Sequence, residues 1–148
     1  MRGPVVRLGS EDDLHCMVCD YMRIRYPTVL FRTDFAAGTR LSMTQAVRNK
    51  KMQSCRAWPD LFIAEARGGR HGLFVELKVE GTRLYLKDGI TMVSNEHYRE
   101  QDQVLRQLEG TGYRAVFAIG FDQAKDVIDR YLAESGDGGI RLVPLPPL

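Results

Sequence analysis

The sequence predicts an α/β fold, a central mixed sheet flanked by helices. Three observations lead there. Amphipathic stretches with apolar side chains at three- and four-residue intervals lie near both ends of the 148-residue chain. Two short apolar runs, Asp60 to Ala64 and Leu73 to Val79, are joined by a spacer containing Arg67-Gly68-Gly69-Arg70, which suits a hairpin. Helical and strand-type segments also alternate instead of segregating, which favours helices packed on a sheet.

The first helix spans Glu11 to Arg25, with Leu14, Met17, Val18, Tyr21, Met22 and Ile24 as its apolar set and Ser10 as its cap. Tyr26-Pro27 ends it, because a residue before proline avoids helical geometry. Val29 to Phe35 reads as a strand and Ser42 to Gln53 as a basic helix. The two hairpin strands follow and should pair antiparallel. Lys87-Asp88-Gly89 marks a second, smaller ribbon joining Tyr85-Leu86 to Thr91-Met92. Glu96 to Glu109 reads as a helix, stopped by Gly110 and Gly112. Ala115 to Ile119 is a buried-type strand, and Phe121 to Leu132 a last amphipathic helix. A single domain over residues 1–148 is expected, with its core at about 10–134 and a Gly/Pro-rich tail at 135–148.

Composition narrows the class further. The chain carries 21 Lys or Arg against 19 Asp or Glu, with 44% hydrophobic residues, an ordinary globular balance. It lacks the roughly 20 consecutive apolar residues of a membrane span and the apolar core of a signal peptide. Three cysteines cannot all pair within one chain, so a cytoplasmic protein is expected. The net charge of +2 conceals a polarised distribution. Between Ala36 and Pro59 stand Arg40, Arg48, Lys50, Lys51 and Arg56 without one acid, whereas Asp122 to Asp137 carries five acids against two bases. Such a basic stretch can attract polyanions such as nucleic-acid phosphates, and a solvated basic helix face accounts for it as well.

The chemistry concentrates in Leu73-Phe74-Val75-Glu76-Leu77-Lys78-Val79. In a strand, Leu73, Val75, Leu77 and Val79 share one face, and Glu76 and Lys78 share the other. Two opposite charges in an apolar run are costly to bury, by several kcal/mol per ion before pairing. An exposed face of a one-sided sheet would account for them. Trp58-Pro59-Asp60 shifts the balance, because the hairpin would bring Asp60 toward Glu76 and Lys78. Two carboxylates beside an ammonium suit a hard divalent cation.

These residues resemble a family. Pro59-Asp60 followed by Glu76-Leu77-Lys78 is similar to the signature of the PD-(D/E)XK nuclease superfamily. The run from Arg56 to Leu132 resembles, more narrowly, the virus-type replication-repair nuclease (VRR-NUC) family. It does so through Trp58-Pro59-Asp60-Leu61-Phe62-Ile63, Gly72 to Lys78, His97 with Glu100-Gln101, Gly112-Tyr113, and Ile128-Asp129-Arg130-Tyr131-Leu132. The resemblance implies a restriction-endonuclease-like core with Asp60 and Glu76 as ligands of Mg²⁺ or Mn²⁺. The Leu77 backbone carbonyl would be a third ligand, and Glu11 on the first helix would complete the shell, with Asp12 or Asp13 as alternatives. Lys78 would position or deprotonate the attacking water, and Gln101 would orient Lys78 or that water. Family members often carry glycines where Gln53 and Ala57 stand here, and the Gly81 to Ser94 ribbon is longer than in compact members.

The implied function is a metal-dependent, structure-selective DNA endonuclease. It would act as a homodimer on four-way junctions or flaps in replication, recombination or repair. A non-catalytic nucleic-acid-binding module on the same fold and a sequence-specific restriction-type endonuclease are the alternatives. Other features read as structural. Cys16 and Cys19 form a Cys-x-x-Cys, but Cys16 lies more than a turn inside a helix, away from the N-terminal dipole that activates a thiol. A zinc site would need two more ligands from His15, Cys55, His71 or His97, and no second close pair exists. Trp58 is assigned to the core, and His97 to a local hydrogen bond or a phosphate contact.

Overall fold

The structure is a computed structural model that describes residues 10–34 and 41–136. Its elements are α1 (Glu11–Arg25), β1 (Phe31–Thr33), α2 (Met43–Lys51), β2 (Leu61–Ile63), β3 (Leu73–Lys78), α3 (Glu96–Gly110), β4 (Arg114–Ile119) and α4 (Gly120–Ala133). The strands form one mixed sheet in the order β1-β2-β3-β4. The first two pairings are antiparallel and β3 with β4 is parallel. The α/β class, the mixed sheet and its flanking helices are those expected from the sequence. Residue Phe35, the Arg40 of the basic stretch and most of the Gly/Pro-rich tail lie outside the described residues.

Local chemistry sets the element ends. Ser10 accepts a hydrogen bond from the Asp13 N–H at the start of α1, and Glu11, Asp12 and Asp13 complement the helix dipole there. Ser42 and Gln45 form a reciprocal capping box on α2. In the β2–β3 hairpin, Gly68 and Gly69 have φ of 55° and 77°, which only glycine adopts at little cost. Gly72 is needed for a different reason. A β-carbon there would stand 2.9 Å from the Ile63 carbonyl oxygen and 2.9 Å from the Phe62 ring.

Strand parity divides the core in two. Leu73, Val75 and Leu77 of β3 pack with Leu14, Val18 and Met22 of α1 and with Ala124, Ile128 and Tyr131 of α4. Phe74 points the other way and packs with Leu105 of α3 and Ala115 of β4. Burying an aliphatic side chain fully contributes roughly 1.5–3 kcal/mol, so these two clusters hold the helices on their faces. At the α1–α4 seam, the Tyr21 and Tyr26 hydroxyls both donate to Asp129 Oδ1. Burial alone would raise the Asp129 carboxyl, but the two phenols and Lys125 outweigh it and hold it below the usual range.

Three expectations need correction. Trp58 is not core: it is 47% exposed, its ring edge-on to Phe74. Ile24 is 83% exposed, because it turns off the α1 stripe that faces the sheet. β4 is a sheet edge, so only Ala115 and Ala118 are buried and the strand is half exposed. The small ribbon is present as a Tyr85↔Met92 bridge, with Asp88 accepting from the Ile90 and Thr91 N–H groups.

Candidate active site

The β2–β3 register sets Leu61 opposite Val75, so one step further Asp60 stands opposite Glu76. β2 begins at Leu61, and Asp60 is therefore free of the ladder on its β3 side. Its carboxylate takes over there: the Leu77 N–H donates to Asp60 Oδ2 at 2.9 Å. Because the N–H and C=O of one strand residue point to the same side, the Leu77 carbonyl also faces the β2 side of the sheet. On the outer side, the Asp34 N–H donates to the Asp60 carbonyl at 2.8 Å and ties β1 to this point.

Glu76 and Lys78 share the face on which Phe74 meets α3. Glu76 is 4% exposed, so the reading of an exposed sheet face does not hold for it. Gln101 of α3 is buried as well, and its Nε2 donates to Glu76 Oε1 at 2.7 Å. Lys78 Nζ lies 3.7 Å from the same oxygen and 4.8 Å from the centre of the Tyr98 ring. Burial first, then the Asp60 carboxylate and its hydrogen bond, and finally Glu11, push the Glu76 carboxyl up to about 9, with Lys78 opposing them. Two close carboxylates out of water cannot both ionise cheaply, and here one keeps its proton when no cation offsets the charge.

The N-terminal turns of α1 supply the remaining donors. Of the three acids considered for this place, Glu11 reaches the cluster: its carboxylate, His15 and Asp60 offer atoms that all lie within 4.8 Å of one another. His15 Nε2 stands 3.8 Å from Asp60 Oδ1, beyond hydrogen-bond reach, and is buried without a hydrogen-bond partner among the described residues. The donor set fits a divalent cation, since Glu11, Asp60 and His15 come together from two segments with a buried nitrogen among them, and the Glu76 carboxyl adjoins Asp60.

The sequence assigns Asp60, Glu76, Lys78, Gln101 and Glu11 to one site, and all five converge here. It misses His15, which reads there only as a companion of the cysteines. The signal that could have found it is the Glu11-x-x-x-His15 spacing, which stacks both side chains on one helix face. Tyr98 lies under the Lys78 ammonium, and no motif in the sequence points to it. Arg48, Lys50 and Lys51 are exposed on α2, of which no residue is buried. Arg56 differs, because its guanidinium bonds both Glu100 oxygens, at 3.0 and 2.5 Å, and ties the segment before Trp58 to α3. Beyond Trp58 a cleft of about 630 Å³ opens beside Asp60, lined also by Phe62, Phe74 and Tyr113. Cys16, Cys19 and Cys55 are free thiols, and His97 is exposed.

Fold and site together define an α/β domain with a buried carboxylate–lysine pocket at the open end of a hairpin. Among solved structures the chain is similar to a VRR_NUC domain protein, 24% identical, with a TM-score of 0.62 over 96% of this chain and 100% of that one. The likeness shows that this chain has the restriction-endonuclease-like, VRR-NUC-type fold. No family model matches the sequence, and no curated protein does. Among the described residues no helix is long and apolar enough to cross a membrane.

Proposed function

We propose that this protein is a divalent-metal-dependent DNA endonuclease of the VRR-NUC family that hydrolyses phosphodiester bonds in branched DNA. One observation carries the reading. Asp60, Glu76, Lys78, Gln101 and Glu11 come from three helices or strands and a loop, yet meet at one end of the sheet, with two of the acids buried. The fold likeness supports it. A binding module has no use for a buried acid, amide and ammonium held in register.

A bound divalent ion, Mg²⁺ or Mn²⁺, would neutralise phosphate charge and generate hydroxide from water near neutral pH. Asp60, Glu76, Glu11 and the Leu77 carbonyl would hold it. The chain's own residues do the rest. The Leu77 N–H fixes the Asp60 carboxylate, and Gln101 fixes that of Glu76. Lys78 places a positive charge beside them on a flexible stem, where it can meet the phosphate and hold or release a proton at Nζ. Tyr98 confines that ammonium by presenting its ring face. Arg48, Lys50 and Lys51 on α2 would grip backbone phosphates, which positions DNA without reading bases and suits selection by shape. Two copies about a twofold axis would place paired cuts in a symmetric junction.

The test presents labelled four-way, flap, splayed-arm and plain duplex DNA with Mg²⁺ or Mn²⁺ to wild type and Glu76→Ala. Branched substrates should be cut in preference to duplex, and Glu76→Ala should cut none. Equal cutting of all four would remove the structural selectivity, and no cutting by wild type would remove the enzyme. Light scattering of the purified chain reads the dimer.

A further inference from the structure

We propose that His15 is a nitrogen ligand of the cation in this pocket and tilts the site away from Mg²⁺ toward first-row transition ions such as Mn²⁺ and Co²⁺. The inference rests on the metal-dependent reading above and adds to it a ligand and a selectivity. His15 is 9% exposed, and its Nε2 has no hydrogen-bond partner among the described residues. Buried ring nitrogens are nearly always satisfied, so an orphan asks what it faces. It faces Asp60 Oδ1 at 3.8 Å. Two donors each about 2.1 Å from one cation stand at most roughly 4.2 Å apart, so this separation already suits a shared ion and not a hydrogen bond.

The helix makes the placement firm. Glu11 and His15 are one turn apart on α1, and Leu14 and Val18, buried against β3, fix the rotation of that turn. The selectivity follows from ligand chemistry. Mg²⁺ prefers oxygen donors, whereas imidazole binds transition ions better, in an order that rises from Mn²⁺ through Co²⁺. A carboxylate-only pocket gives no such tilt.

A competing role for His15 is a cationic partner of Asp60, and the two roles predict opposite outcomes. Calorimetric titration of the full chain with Mn²⁺, Co²⁺ and Mg²⁺, without DNA, compares wild type with His15→Ala and His15→Gln. As a ligand, His15 should cost at least about tenfold in Mn²⁺ and Co²⁺ affinity on removal, since even outer partners of ligands cost about that much, and less than roughly threefold in Mg²⁺ affinity. Removal of a cationic partner would tighten all three ions, which overturns the proposal. Electron spin-echo modulation of Mn²⁺ on the unaltered protein needs no variant to fold: ¹⁴N coupling from an imidazole is expected. Mn²⁺ bound without that coupling sinks the His15 role and leaves the nuclease reading standing. Failure of wild type to bind any of the three ions sinks both.

Discussion

Gln101 Nε2 donates to Glu76 Oε1 across 2.7 Å between two buried side chains, one on α3 and one on β3. The bond fixes the carboxylate that adjoins Asp60. Replacing Gln101 with Leu leaves Glu76 without its amide donor, and we expect cleavage to slow by roughly 10–100-fold, the usual effect of losing a partner that orients a metal ligand. Single-turnover rates at saturating Mn²⁺ check this, and an unchanged rate would confine Gln101 to packing.

Lys78 tests a different link. Its ammonium is not a cation ligand, so Lys78→Ala should retain Mn²⁺ binding while cleavage falls by at least about 10²-fold, the scale of a lost proton-transfer group. Calorimetry and gel-resolved cleavage on one preparation separate the two. Undiminished cutting would take Lys78 out of the chemistry.

The raised Glu76 carboxyl makes stability depend on pH when chelator is present. Its folded value of about 9 lies above the ordinary 4.5, so between those limits the folded chain binds more protons than the unfolded one. Stability is therefore full below about 4.5 and falls as pH rises toward 9, by an amount on the order of a few kcal/mol. Urea unfolding in EDTA at pH 5.5, 7 and 8.5 should show the decline. Glu76→Gln should flatten it, and added Mn²⁺ should restore stability most at the alkaline end. Asp129 acts in the opposite sense and in another window: its lowered carboxyl contributes above about 3.8 and loses that contribution under acid.

Gly72 carries a purely steric expectation. A methyl there meets the Ile63 carbonyl and the Phe62 ring, both at 2.9 Å, and the carbonyl belongs to the paired strand and cannot step aside. Gly72→Ala should destabilise the fold by about 1–3 kcal/mol, the range for overpacking a close-fitted site. Gly69, with open space around it, should show only the cost of its positive φ. Denaturant midpoints of the two variants make the comparison.

The exposed charges of α2 should govern salt response. Replacing Arg48, Lys50 and Lys51 together with Ala should weaken DNA binding uniformly across sequences. It should reduce the slope of log affinity against log salt by up to about 0.9 for each phosphate no longer neutralised. Anisotropy titrations with catalytically inactive Glu76→Ala from low to moderate salt measure it. A slope that does not move removes α2 from the DNA interface.

Much of this is legible in the chain because strand alternation and hairpin closure are local. Asp60, Glu76 and Lys78 follow from a turn with two positive-φ glycines and a period of two, and the helices from apolar spacing and caps. What escapes depends on packing between distant segments. The α1 stripe gives the helix but not where its N-terminal turn points, so the sequence offers His15 only as a neighbour of the cysteines. Exposure of Trp58 follows from its place beside a single ring, Phe74, at the cleft, which the Trp58-Pro59-Asp60 string does not reveal. The half-exposed β4 has an apolar sequence, but only the strand order shows that no strand among the described residues pairs with its outer edge.

The hydrogen bond from Leu77 to Asp60 spans 17 residues of chain, that from Gln101 to Glu76 spans 25, and α1 reaches the same point from the far side of the sheet. The contact between the hairpin strands is the more local in sequence, and it needs neither helix to form. A nascent or clipped polypeptide thus holds its carboxylates without the amide that aligns them. On the proposed function, such a chain would lack the alignment that cleavage needs.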